Sequence, residues 1–313
     1  MAKILAVAYD ADRVYLAALK NGAVEAVRSA PIVSTKNNSE GIADAIRSLT
    51  AKSEFGESSA AMALADVECV FKQRAAEGVS ERELEMNLPY EFGDFIAAGS
   101  EANYIYDYQA LPAEKGEAVR LLCVAAQRKA VALCKDVAED AKLNLVRLAP
   151  ETVALGDLVE ASSMRGKLCI LVDVGAESVL VRIYRGVECL ASHEIMGGVL
   201  PVKEALQMHN LGFFDGTDEE RAAVYSQSIC RQTAENIAAD VVSALAYFLE
   251  RRILVPYTPL FLLGEGALIP GLRESLSRGV GTECVNVSAL ISGRIDDAHA
   301  AVLAPAIGAA MLR

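Results

Sequence analysis

Asp173-Val174-Gly175, Gly197-Gly198 and Gly264-Glu265-Gly266 are the three places where residue type and spacing could do chemistry, each at the end of an apolar run. A carboxylate at the end of a buried strand, followed by glycine, offers an acid and exposed backbone N–H groups, the parts needed around a Mg²⁺-bound phosphate. Glycine lets the backbone approach a ligand closely, and a helix start just beyond it supplies N–H groups for an anion. Asp173 is thus the candidate Mg²⁺ contact, through a phosphate and only when nucleotide is bound. Taken singly, the same loops also read as plain connections: a hairpin turn, a strand-to-helix bend, and a strand-to-helix link with Pro270 at the helix start. Residues 4–19 repeat the strand–loop–strand shape of 167–190 with different chemistry. There Ala8 stands in the place of Asp173 and Asp10 in the place of Gly175. Asp10 and Asp12 would repel a phosphate at roughly 1–4 kcal/mol per close pair unless a metal intervenes.

Strands and helices must aim these loops. Residues 4–9, 14–19 and 23–29 read as three antiparallel strands with an Asn21-Gly22 hairpin turn between the second and third. Residues 39–51 read as a helix capped by Asn38 or Ser39, and 61–74 as a strand of the same lobe. Residues 75–147 read as a separate small α/β module. It opens with a Ser80/Glu83 capping box and a helix to about Ile96, followed by strands at 104–111 and 121–127. Its closing helix, 128–143, carries an apolar stripe of Val131, Leu133, Val137 and Ala141. A helix at 153–162 leads to a second lobe that repeats the opening hairpin. Val202, Ala205 and Leu206 mark the buried face of the helix after Gly197-Gly198. A polar acidic stretch at 215–221 precedes the longest helix, 226–251, with Ile229, Ala234, Ile237, Val241, Leu245 and Phe248 at helical spacing. Residues 258–263 read as a strand buried on both faces, 285–287 as a last strand, and 302–312 as a small-residue helix.

The expected division is 1–74 with 148–166 as the core of lobe one, 75–147 as an inserted α/β domain, 167–200 with 256–313 as the core of lobe two, and 201–255 as its helical subdomain. The fold class is α/β.

Composition narrows the function. A 313-residue chain with 53% hydrophobic residues can fill about two cores. A net charge of −12 and a pI near 4.9 argue against nucleic acid or an anionic membrane as the main partner. No apolar run reaches the ~18–20 uninterrupted residues of a membrane span, so a soluble chain without signal peptide is expected. Seven widely spaced cysteines without a CxxC fit buried thiols in a reducing compartment. His193, His209 and His299 stand at no metal-ligand spacing, and GxSxG and GxxxxGK[ST] are absent.

The duplicated lobe, the Asp-Val-Gly loop and the late Gly-x-Gly…Pro-Gly-Leu loop together resemble the actin, Hsp70 and sugar-kinase superfamily. VSERELEMNLPYEFGDFI at 79–96, YIYDYQAL at 104–111 and LLCVAAQRKAVALCKDVAEDAKLNLVRL at 121–148 resemble the inserted domain of the PilM family, the cytoplasmic actin-like proteins of type IV pilus assembly, related to FtsA. The resemblance implies a two-lobed actin-like (ribonuclease H-like) fold with an inserted small α/β domain. It implies ATP with Mg²⁺ between the lobes, with Asp173 and Gly175 at the second phosphate loop, Gly197 and Gly198 behind it, and Gly264 and Gly266 at the adenosine loop. The first loop departs from the family pattern at Asp10 and Asp12. The family's Ala-Glu-x-x-Lys stretch after the double glycine is also not evident, with Asp218-Glu219-Glu220-Arg221 standing near its place, so binding of ATP is expected to be weak or absent. The resemblance also implies a groove beside the insert that holds the cytoplasmic tail of a PilN-like inner-membrane protein. Glu91, Ile96, Tyr104, Tyr106 and Tyr108 are the candidate contacts, with Ala97 in place of the family's proline. Taken one by one, alternate aromatic residues on a strand fit a core more readily than a contact surface.

Three readings remain open at this stage. One is a scaffold at the inner face of the cell membrane, linked to it through PilN-like and other pilus-platform partners. The second is an active ATPase or kinase with Asp173 orienting Mg²⁺ or a nucleophile. The third is a filament former, for which the sequence shows no interface.

Overall fold

The computed structural model describes residues 3–33, 38–51, 55, 56, 58–75, 81–112 and 119–311. The Ser80 half of the expected capping box lies outside the described residues. The first sheet begins with β1 (Lys3–Tyr9), β2 (Arg13–Lys20) and β3 (Ala23–Pro31), all expected. Asn21 and Gly22 both take positive φ, 55° and 78°, the backbone that a two-residue turn between right-twisting strands requires. Helix α1 (Asn38–Thr50), β4 (Ser59–Leu64) and β5 (Cys69–Ala75) follow, then α2 (Glu81–Glu91), β6 (Tyr104–Leu111), β7 (Arg120–Gln127), α3 (Arg128–Asp140), β8 (Asn144–Pro150) and α4 (Glu151–Ala161). The second part runs β9 (Leu168–Val174), β10 (Ser178–Arg185), β11 (Glu188–Met196), α5 (Leu200–Gln207), α6 (Asp218–Tyr225), α7 (Ser228–Glu250), β12 (Leu260–Leu263), α8 (Leu272–Val280), β13 (Cys284–Asn286) and α9 (Asp297–Met311).

Two five-stranded sheets have the same order, β3-β2-β1-β4-β8 and β11-β10-β9-β12-β13. In each, an antiparallel three-stranded meander is extended by parallel strands at its first-strand side. The expected duplication is therefore present as topology. By internal contacts the chain divides into Met1–Gly22, Arg28–Asp157 and Pro305–Arg313 as one compact unit, and Ala23–Val27 with Leu158–Ala304 as another.

Several local readings are corrected. Residues 61–74 are not one strand of the first lobe. A short 3₁₀ turn at Asp66–Glu68 separates β4, in the first five-stranded sheet, from β5, in a three-stranded sheet β5-β7-β6. The inserted sheet therefore starts at Cys69. The long α7 begins at Ser228, and the stretch read as polar connection contains a helix of its own, α6. Thr217 accepts the Glu220 amide while the Glu220 carboxylate accepts the Thr217 amide, a complete capping box. Leu133 and Ile229 are exposed, and Cys134 and Cys230 take the buried positions beside them. Five of the seven cysteines are buried and all are free thiols. Burial pushes Cys169 and Cys284 up to about 12, so both are neutral core residues at physiological pH. Gly308 of α9 lies so close to α4 that an added Cβ would sit 2.6 Å from the Ala154 carbonyl carbon.

Candidate functional site

The first and second hairpin loops share one closing geometry. Tyr9 faces Val14 as the last cross-strand pair of β1 and β2, and Val174 faces Val179 in β9 and β10. In both, the first loop amide donates to the carbonyl three residues on at 3.0 Å: Asp10 to Arg13, and Gly175 to Ser178. Their side chains then diverge. Asp10 Oδ1 accepts the backbone amides of Asp12 and Arg13 at 2.7 Å each, and its Oδ2 accepts the Tyr15 hydroxyl at 2.9 Å. The loop's own carboxylate thus occupies the amides at the turn. Asp12 is exposed.

Asp173 is also engaged. Arg182, two residues beyond its cross-strand partner Leu180, shares its face, and its Nη1 lies 3.2 Å from Asp173 Oδ2. The Arg182 side chain is 0% exposed and that of Asp173 18%. A guanidinium without solvent needs an acid beside it, so neutralising Arg182 is a structural duty of Asp173.

The three glycine loops come together around this acid. An added Cβ on Gly264, whose φ is +80°, would lie 2.6 Å from Asp173 Oδ1 and 2.6 Å from the Val174 carbonyl oxygen. On Gly198 it would lie 2.7 Å from the Ala176 oxygen. Gly266 packs on the Val174 side chain, within Cβ-clash range. The amides of Gly197, Val199 and Leu200 donate to the carbonyls of Glu177, Gly175 and Ala176 at 2.8, 3.0 and 2.8 Å. The amide groups at the start of α5 thus bind the loop itself. Lys203 on α5 and Glu265 in the Gly264–Gly266 loop pair at 3.3 Å. Beyond Gly266, a pocket of about 530 Å³ is lined by Phe213, Arg221, Tyr225, Leu268, Pro270 and Ala298. Arg221 is tied to the carbonyls of Asp215 and Gly216 and to the Asp218 carboxylate. Burial, more than the opposing Arg221 charge, raises Tyr225 to about 12, leaving a neutral phenol in the pocket wall. No cluster of three or more metal-binding side chains exists among the described residues.

The inserted sheet divides its residues by parity. On one face Leu121, Cys123 and Ala125 of β7 pack with Leu84, Leu88, Phe92 and Ile96, and Tyr104, Tyr106 and Tyr108 of β6 lie against this core. Phe92 and Tyr106 ring centroids are 5.8 Å apart, and the Tyr106 hydroxyl donates to the Glu101 carbonyl at 3.1 Å. Glu91 pins α2 to β5, pairing with Arg74 and, at 3.2 Å, with Lys72. The opposite face, Ile105, Asp107 and Gln109 of β6 with Leu122, Val124 and Ala126 of β7, walls a groove of about 440 Å³. Its other wall comes from the ends of β4 and β8, from Val131 and Lys135 of α3, and from Val153 of α4. Of the five insert residues singled out by sequence, Glu91 and Ile96 hold the insert together. The tyrosines rest on its core, and Tyr108 also reaches the groove lining.

Arg182 and the groove-facing residues between the tyrosines were missed. The first had a signal, a lone cation at an inward position of an apolar strand. The second follows from strand alternation once the aromatic face is assigned to the core.

The paired sheets, each a meander extended by parallel strands, define the actin-like ATPase fold class. The family model for the type IV pilus assembly protein PilM matches residues 3–311. The chain belongs to this PilM family. Among solved structures, the PilM-PilN type IV pilus biogenesis complex matches with a TM-score of 0.74 at 20% identity, over 99% of this chain and 98% of that one. The ethanolamine utilization protein EutJ from Carboxydothermus hydrogenoformans matches with a TM-score of 0.55 at 17% identity, over 98% and 90%. A comparison with curated protein sequences found no match.

Proposed function

We propose that this chain is a docking protein of the pilus assembly platform, holding the extended cytoplasmic tail of a PilN-like inner-membrane protein in the groove beside the inserted sheet. The observation that carries this reading is the groove itself, apolar along Leu122, Val124 and Val131, with Asp107, Gln109 and Lys135 as polar contacts. Such a lining suits an extended peptide read by a few side-chain pockets. The match to the solved PilM-PilN type IV pilus biogenesis complex supports the choice of partner. Binding this tail would keep the protein at the inner face of the membrane, since no helix among the described residues is long and apolar enough to cross it.

Nucleotide binding is weak or absent in this reading, because Asp10 fills the anion place of the first loop and Asp173 is tied to Arg182. The test is calorimetric titration of the full chain with a synthetic peptide of the partner's tail and, separately, with Mg-ATP. The tail is expected to bind, Val124→Asp to abolish that binding with a lowered melting midpoint because the position is buried, and Asp107→Lys, at an exposed groove position, to weaken it at an unchanged midpoint. A tail that binds Val124→Asp unchanged would overturn the groove assignment. Phosphate release abolished by Asp173→Asn in a chain that still folds would instead favour the ATPase reading.

A further inference from the structure

Helix α2 is apolar on both sides. Leu84 and Leu88, with Phe92 just beyond the helix, face the insert core at a spacing of four. Met86 and Tyr90, also four apart, face away and are 66% and 82% exposed, and Phe95 in the following turn is 59% exposed. On a helix that is otherwise largely charged, this outward pair of large apolar side chains forms a patch with charged neighbours. Exposed carboxylates ring this outer patch: Glu83, Glu85, Asp94 and Glu101. The cations of the adjoining sheet that could offset them, Lys72 and Arg74, are held by Glu91. The field of the whole chain, −12, has the same sign.

We infer that this acidic, apolar-centred face of α2 takes the basic stretch that follows the docked tail of the same membrane partner, just before that partner enters the bilayer. The inference rests on the proposed function and extends it. Cytoplasmic segments next to a membrane span carry an excess of lysine and arginine, which supplies the complementary charge. The route is short. Among the described residues β6 is paired only with β7 and forms an edge of its sheet, and groove and α2 lie on opposite faces of that sheet. From the groove around the sheet edge to the outer side of α2 is roughly 20 Å, the layer spacing plus the thickness of the helix, which about six or seven extended residues span at about 3.3 Å each. Asp107 on the groove side and Glu101 just before β6 mark an acidic path around that edge.

The experiment compares two synthetic peptides on the full-length chain: the partner's tail alone, and the tail extended through its juxtamembrane stretch. The extended peptide is expected to bind about tenfold more tightly, with the advantage shrinking as salt rises. Met86→Ser with Tyr90→Ser is expected to remove that advantage and leave the affinity for the tail alone unchanged. Glu85→Lys with Asp94→Lys is expected to lower the association rate of the extended peptide only. Equal affinity of the two peptides, or an advantage that survives both double substitutions, overturns this inference while the groove assignment stands. Failure of both peptides to bind overturns the groove assignment as well.

Discussion

The two hairpin loops have the same length and the same closing hydrogen bond, yet their carboxylates have been put to opposite uses. Asp10 is local: it organises three residues of its own turn. Asp173 reaches across the sheet to a guanidinium without solvent access. In both loops the acid holds structure together, Asp10 within its turn and Asp173 beside Arg182. The loops differ in what its removal costs, because a buried ion and an exposed amide suffer unequal losses.

Asp173→Ala gives the largest expected effect. Breaking a buried ion pair from one side costs about 3–5 kcal/mol, and the partial exposure of Asp173 places this case near 3. Thermal melting checks it, and an unchanged midpoint would remove the contrast between the loops. Gly198→Ala comes next at about 1–3 kcal/mol, because the new methyl meets backbone oxygen rather than a yielding side chain. A lowered urea midpoint at constant slope is the expected result. Asp10→Ala should cost only about 1 kcal/mol, the usual value of a local side-chain-to-amide cap. Its sharper readout is ligand binding, since Asp10→Gly frees the amides of Asp12 and Arg13. Titration should show tighter Mg-ATP binding than the parent chain, and no gain would mean that Asp10 is not what blocks the loop.

Glu220 supplies a third carboxylate for calibration, fully at the surface. Its hydrogen bonds with the backbone and hydroxyl of Thr217 hold it below its ordinary value of 4.5. A depressed folded value means that the contribution is complete above about pH 4.5 and is lost as pH falls through the lowered value. Glu220→Gln, which removes the titrating carboxylate, should lower stability at neutral pH, with the difference from the parent narrowing below pH 4.5 in pH-dependent unfolding.

The duplicated sheets were legible because the strands at 4–19 and 167–190 keep their apolar alternation and their turn residues. The three glycine loops were also placed together correctly in outline, since each ends a buried strand. What the residues could not reveal was the direction of each side chain. Asp10 and Asp12 read alike as repulsive charges, but the turn folds Asp10 inward and leaves Asp12 in solvent. The tyrosines of β6 read as contacts or, more readily, as core, and in the structure α2 covers their face. The break between β4 and β5 was hidden because 61–74 is continuously strand-like, and only pairing separates its halves into two sheets. The α6 capping box, Thr217 to Glu220, was readable but was masked by the acidic run around it.

The carboxylate of Asp10 is delivered to its amides by a single short side chain. A tethered group of this kind acts at an effective molarity far above that of any dissolved competitor, since its translational freedom was surrendered when the chain folded. In the proposed function, a triphosphate arriving from solution would meet an opponent that never diffuses away. Raising the nucleotide concentration is therefore a poor key to this loop, and changing one residue is a good one.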